Sequence, residues 1–202
     1  MSKANWAKVQ PSSGSGNATV NVSSDAPNTG RNKRSTTLTI TAANVTPVSV
    51  AVNQAGKPQY VDAQDTATAA KAGANVTISG KSNAKTLTFS IGTSGNTLKP
   101  TLPVKYTAAG VETANGVAIT GDPGANAEYD WSIVIPVSLN ETITEKTAQI
   151  IVTDDAGNTD TCVLTQAAGD ATLSVSKQSI DLTYQGTAVA FDVKSNTTWS
   201  IS

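Results

Sequence analysis

The residues best suited to chemistry sit in one short run, Asp154-Asp155-Ala156-Gly157-Asn158-Thr159-Asp160, where Asp154, Asp155, Asn158 and Asp160 could offer oxygen ligands to Ca²⁺. The signal is weak, because Asp and Asn are favoured in turns for their own backbone hydrogen bonds. The chain of 202 residues contains no histidine, which removes the usual general base and the commonest metal ligand. Its one cysteine, Cys162, alternates in phase with Leu164 and reads as a small buried hydrophobe. Gly14-Ser15-Gly16 leads into a strand-like run and not a helix, so it is no phosphate cradle. No enzyme, metal or other cofactor is expected. Trp6, Trp131 and Trp199 are the tryptophans that could serve as sugar platforms. Alternation around Trp131 and Trp199 favours core packing, and Trp6 opens a strand.

Composition narrows the partners. With 14 Lys+Arg against 15 Asp+Glu, the chain has no charge excess that would draw nucleic acid or an anionic membrane. Only 14% of residues are charged and 4% aromatic, and the remainder is rich in Thr, Ala, Ser and Val. Small β-branched side chains suit thin sandwiches better than helices. No apolar run approaches the ~20 residues of a membrane span. Met1 is followed by SKANWAKVQPSSGSG, without the apolar core of a secretory leader, so the chain is expected to stay in the cell that makes it, to be released by lysis as part of a particle, or to be a mature form with a restored Met.

The elements that organise these residues come from an internal repeat. Thr36–Gly56 (TTLTITAANVTPVSVAVNQAG) matches Ala148–Ala168 (AQIIVTDDAGNTDTCVLTQAA), with Gln54 opposite Gln166, a shift of 112 residues. Leu38 then meets Ile150, Ile40 meets Val152, Val50 meets Cys162 and Val52 meets Leu164. Both copies alternate apolar and polar residues around a turn, the pattern of a β-hairpin. Beyond the glutamine, Lys81-Ser82-Asn83 falls near Lys194-Ser195-Asn196, Gly73 near Gly186, and Leu87 at the place of Trp199. The aligned hairpin around Ala42–Pro47 has no carboxylate, so the repeat does not require an ion at Asp154.

The expected fold is all-β, with two immunoglobulin-like β-sandwich domains, one of them split between the N- and C-termini. Residues 58–169 read as a complete sandwich, 1–57 as the back half of another, and 170–202 as its front half. The insertion Asn96–Tyr106 with Gly116–Asn126 reads as further strands and loops of the middle sandwich. Alternatively it is a contact loop presenting Leu98, Pro100, Leu102 and Pro103. Arg31, Lys33 and Arg34 are the only basic cluster, either a solvated loop or a contact to an acidic patch.

Half-sandwiches cannot bury a core, so each must be completed by the chain's other end, by another copy, or by a different or longer polypeptide. An odd number of strands would place the two ends of the middle sandwich roughly 20–35 Å apart. The links around Ala55–Pro58 and Ala168–Ala171 are too short to return both halves to one place. Head-to-tail completion between copies is therefore favoured. The expected inter-subunit seam joins Tyr184, Phe191, Val193, Trp199 and Ile201 of one copy to Trp6, Val9, Val20, Val22, Leu38 and Ile40 of the next.

The segment LSVSKQSIDLTYQG (Leu173–Gly186) with SNTTWSIS (Ser195–Ser202) resembles the start of BACON domains, which are immunoglobulin-like modules. NWAKVQPSSGSGNATVNVSS (Asn5–Ser24), STTLTIT (Ser35–Thr41) and VAVNQAG (Val50–Gly56) resemble their second half. BACON modules occur in secreted bacterial carbohydrate-processing proteins and in bacteriophages of the crAss-like group. The resemblance implies an auxiliary or decoration protein on the capsid exterior of a virion, made in the host cytoplasm. Its implied partners are other copies of itself and the major capsid protein; the basic cluster Arg31, Lys33 and Arg34 and the insertion's Leu98 and Leu102 are the candidate contact residues. The alternative implied by the same family is a carbohydrate-binding module of a surface adhesion protein, with surface glycans as partners.

Overall fold

A computed structural model describes residues 3–202. It is all-β: among the described residues the only helical turn is a 3₁₀ turn at Pro123–Ala125. Alternating sequence drives the strands, since side chains two apart share a face.

Residues 61–166 build two facing sheets. Their strands are β5 (Val61–Ala63), β6 (Thr66–Ala69), β7 (Ala74–Ser82), β8 (Leu87–Ile91), β9 (Lys105–Ala108), β10 (Val111–Ala114), β11 (Tyr129–Val137), β12 (Lys146–Asp154) and β13 (Thr159–Gln166). One sheet runs β10-β9-β11-β7-β5 and the other β6-β13-β12-β8. Every pairing is antiparallel except β6 with β13, which is parallel. On β11, Tyr129, Trp131, Ile133, Ile135 and Val137 point inward; on β12, Ala148, Ile150 and Val152 meet them from the facing sheet. Burial of each large aliphatic side chain contributes about 1.5–3 kcal/mol, which makes this layer the source of the domain's stability. Phe89 anchors its centre, with ring centroids 4.9 Å from Tyr106 and 5.2 Å from Trp131.

The insertion turns mostly inward. Lys105–Ala108 and Val111–Ala114 form a hairpin turned through Ala109 and Gly110, both at positive φ. Leu98 and Pro100 are buried, and Leu102 packs against the core. The contact-loop reading is thereby corrected for Leu98, which at 7% exposure fills the sandwich; Leu102 packs against the core while remaining half-buried. The strand expected at Gly116–Thr120 is reduced to one bridge, Thr86 with Ala118, after Gly116 turns the chain at φ 74°.

The terminal segments form three separate two-stranded ribbons. β1 (Ala7–Gln10) pairs with β2 (Asn21–Ser24), β3 (Arg34–Ala42) with β4 (Val45–Gln54), and β14 (Leu173–Val175) with β15 (Val193–Ser195). Every apolar residue of the contiguous core lies between Val61 and Leu164. Among the described residues, no strand pairing or hydrogen bond joins residues 3–57 to residues 170–202.

Candidate functional site

The oxygen-rich run at Asp154 is spent on holding loops. Asp154 Oδ1 accepts from the amides of Ala156 and Asn158, both at 2.9 Å, and its Oδ2 accepts from Asn158 Nδ2. Asp155 Oδ1 accepts from the amides of Lys85 and Thr86 and from Gln59 Nε2, while Asp160 Oδ2 accepts from the amide of Ala63. These carboxylates close the β12–β13 turn and tie it to neighbouring strands. Among the described residues no three acidic or cysteine side chains gather in a way that could hold a metal ion.

Cys162 has no exposure, and burial first, with the nearby charges of Asp160 and Asp65, pushes its thiol up to about 11. Native protein at pH 8 is expected to resist a thiol-specific chromophoric reagent and to release one equivalent after unfolding in guanidinium. Rapid labelling of the folded chain would show that the β12–β13 layer opens locally.

The distinctive geometry is a duplicated one. The β3–β4 register, Arg34 with Gln54 through Ile40 with Val48, is the register of β12–β13, Lys146 with Gln166 through Val152 with Asp160. Likewise β14–β15 pairs Leu173 with Ser195 and Val175 with Val193, as β5–β7 pairs Val61 with Ser82 and Ala63 with Gly80. In both strand pairs of the second kind the serine hydroxyl donates to a backbone carbonyl, Ser82 to Tyr60 and Ser195 to Thr172. The following asparagine accepts from the same residue's amide, Asn83 from Tyr60 and Asn196 from Thr172.

What is buried in the complete sandwich is open in the ribbons. Ile150, Val152, Cys162 and Leu164 are buried; of their counterparts Leu38, Ile40, Val50 and Val52, Ile40 is 55% exposed and Val50 46%. At the other end Phe191 stands at the place of buried Ile78, Val189 at that of Val76, and Leu173 and Val175 at those of Val61 and Ala63; all four are exposed. Trp199 and Ile201, corresponding to buried Leu87 and Phe89, are 52% and 74% exposed. Trp199 lies outside any strand because the strand that would pair with it, the counterpart of β12, is not adjacent. Exposed apolar faces of this kind mark interaction surfaces.

The remaining seam residues divide. Val20 and Val22 are exposed on and beside β2, and Val9, Leu38 and Val193 are half-buried. Trp6 is half-buried beneath Arg34, whose guanidinium lies 4.7 Å from the ring centroid. Tyr184 does not belong with them. It occupies the turn position of Lys71, an exposed residue of the complete sandwich, and points to water as Lys71 does. Leu173, Val175 and Val189 also belong to the open face; the first two lie on a three-residue strand and Val189 lies outside any strand, so alternation gives little signal for them.

The basic cluster is already engaged inside the chain. Arg34 Nε donates to Gln54 Oε1 at 2.7 Å and its Nη2 to the Ala26 carbonyl, closing the N-terminal ribbons on each other. Arg31 pairs with Asp122, and its Nε donates to the Asn83 carbonyl at 2.5 Å. These two residues are therefore corrected from free contacts to internal ties; Lys33 alone stays exposed without an ion pair among the described residues.

Arg31 belongs to a joint that sequence reading missed. Asn83, fully buried, donates through Nδ2 to the carbonyls of Thr29, Lys57 and Pro58, and Asn28 Nδ2 donates to those of Asn32 and Ala55. The same set recurs at the other boundary: Asn196 Nδ2 donates to the carbonyls of Glu141 and Asp170, and Asn140 Nδ2 to those of Thr144 and Ala167. Nearby, the Tyr60 hydroxyl and then the Lys57 ammonium hold the Glu128 carboxyl below its usual value. The available signal was the pair of Lys-Ser-Asn triplets, together with Asn28 and Asn140 at the common shift.

The two joints sit at opposite ends of the middle sandwich. Asn83 and Glu128 flank the Ser82–Tyr129 end of the β7–β11 pair, and Lys71 and Asn140 flank its Ala74–Val137 end. Nine residues of strand separate them by about 30 Å. The open faces of one chain are thus held apart.

The fold and its open faces define an all-β protein whose distinctive surfaces are suited to binding. A family model for BACON, described as "Putative binding domain, N-terminal", matches residues 1–55, the segment that contains β1 to β4. No curated protein matches the chain.

Proposed function

We propose that this protein is a noncatalytic assembly protein in which the C-terminal half-sandwich of one copy is completed by the N-terminal half of the next. We further propose that it serves as an auxiliary protein on a bacteriophage capsid, bound to the major capsid protein. The observation that carries the assembly is the position-by-position match between open residues of the ribbons and buried residues of the middle sandwich. The description of the matched family supports binding as the activity; the virion setting rests on the sequence resemblance alone.

The duplicated register specifies the contact. In the middle sandwich Val152 pairs with Phe89 across the antiparallel β12–β8 ladder, so Ile40 of one copy pairs with Ile201 of the other. Side chains at such positions have Cβ atoms about 4.5–5.5 Å apart, near enough for a disulfide after slight adjustment. Mixing an Ile40→Cys protein with an Ile201→Cys protein under mild oxidation is expected to give a covalent heterodimer, while neither variant alone does. If only the double variant cross-links, and does so within one chain, the halves close on themselves and the assembly reading is wrong.

Glycan binding is a second reading, favoured by the exposure of Trp199 and Tyr184. Head-to-tail completion would bury Trp199 and leave Tyr184 outside, so the two readings make different use of the tryptophan.

A further inference from the structure

The N-terminal joint is closed by more than asparagines. The turn Gly121–Asn126 of the middle sandwich lies against the Thr29–Asn32 loop, where the amide of Arg31 donates to the Gly124 carbonyl and that of Asn32 to the Ala125 carbonyl, both at 2.9 Å. Gly124 approaches so closely that a Cβ there would stand 2.1 Å from the Asn83 carbonyl oxygen. Arg31 and Asp122 then pair across the contact, both largely shielded from water.

At the C-terminal joint the asparagine half is present and the closing turn is not; because a Cβ on Gly30 would stand 2.3 Å from the Asn126 backbone and Thr142 has one at that place, a closing turn there sits farther out than Gly121–Asn126 does. Thr142, Ile143 and Thr144 occupy the places of Gly30, Arg31 and Asn32, and Asn196 that of Asn83. Among the described residues the amides of Ile143 and Thr144 donate to no protein acceptor. Ile143 is itself 43% exposed.

Resting on the head-to-tail reading, we propose that the Ser12–Asn17 loop of the incoming copy is the missing turn, docking its carbonyls on the free amides of Ile143 and Thr144. The loop precedes β2 as Gly121–Asn126 precedes β11, and both run into their strands through Asn-Ala, Asn17-Ala18 and Asn126-Ala127. Aligned on that pair, Ser13 takes the place of Asp122 and Gly16 that of Ala125; the close-approach glycine, Gly124, has its counterpart one residue earlier in Gly14. The charge pair changes on both sides at once. Where the receiving loop replaces Arg31 by Ile143, the closing loop replaces Asp122 by Ser13, so no unpaired charge is buried. The Ser-Gly-Ser-Gly-Asn run thereby acquires a role as a docking loop separate from the sheet seam.

A charge transplant tests this. Ser13 and Ile143 are both exposed in the free chain, so Ser13→Asp and Ile143→Arg leave it folded. Sedimentation equilibrium would measure association of each variant with wild type and of the two variants with each other. Ile143→Arg is expected to weaken capture of a wild-type partner about tenfold, and a Ser13→Asp partner to restore it, as a double-mutant cycle with clear coupling. Purely additive effects, with wild type still associating, would overturn the docking loop while leaving the seam intact. Absence of any wild-type association, with no Ile40–Ile201 cross-link, would overturn the seam and the loop with it.

Discussion

Ile40→Asp is expected to leave the isolated chain folded and to lower head-to-tail association by at least about 100-fold. Ile40 is 55% exposed in the single chain, and substitutions at such positions usually change stability by within about 0.5 kcal/mol. In the proposed head-to-tail sandwich the same side chain would take the place of Val152, which is 1% exposed. A carboxylate forced there loses its water and meets Ile201 with no cation or donor in reach, at a cost of several kcal/mol. About 2.7 kcal/mol already corresponds to a hundredfold. Circular dichroism melts would confirm an unchanged fold, and sedimentation velocity over a wide concentration range would read the association. Unchanged association would mean that Ile40 stays at the surface in the assembly and that the ribbon faces are not joined in the register of β12 with β8.

Asn83→Ala is expected to lower the stability of the middle sandwich by about 3 kcal/mol, a loss on the scale of truncating a buried aliphatic side chain. The side chain has no exposure and satisfies one amide, of Tyr60, and three carbonyls, of Thr29, Lys57 and Pro58. An unsatisfied buried polar group costs about 1–3 kcal/mol, and the carbonyls recover part of it from their second lone pair or from water. For a domain of this size 3 kcal/mol lowers the melting temperature by about 10 °C. Asn196→Ala removes the corresponding bonds of Asn196, to Thr172, Glu141 and Asp170, but there the joint is open to solvent and water replaces them. Its effect on the isolated chain should stay below about 1 kcal/mol. Equal losses in the two variants would show that both joints are closed in the free chain, against the open C-terminal joint described above.

These two expectations separate what the open faces do from what the joints do. The faces hold the apolar surface that another half-sandwich would cover. The joints fix where each face points, through backbone carbonyls gathered by two asparagines apiece, Asn83 with Asn28 and Asn196 with Asn140. Asparagine suits this position because one short, uncharged side chain supplies two donors and an acceptor at a crowded boundary.

Much of this was legible in the residues alone. Alternation at Leu38–Ile40 and Ile150–Val152 specifies strands because the period of two is a backbone property, independent of what the strands later pack against. The 112-residue shift follows from the same pattern written twice, and the absence of histidine and the isolation of Cys162 are plain from composition. Burial was not legible in the same way. Leu98 and Leu102, in a proline-bearing loop, have the look of a contact surface, and only the hydrogen bonding of that loop to β12, with the amides of Thr97 and Leu98 on the Thr147 carbonyl, turns Leu98 inward. Tyr184 has the composition of a seam residue but the position of Lys71, and a turn next to Gly186 points it to water. Arg31 and Arg34 read as free charges because their partners, Asp122 and Gln54, are 91 and 20 residues away.

The sequence by itself determined the all-β class, the repeat and the register of its long hairpins, since these depend on side-chain period and turn chemistry within short windows. The tertiary structure alone decided that the two open faces lie at opposite ends of a nine-residue strand pair, and that each is held there by the same asparagine joint. The physical reason is range. Period acts between residues two apart, whereas the joint brings Asn83 to Thr29 and Arg31 to Asp122 across 54 and 91 residues, through bonds that exist only once the chain has folded.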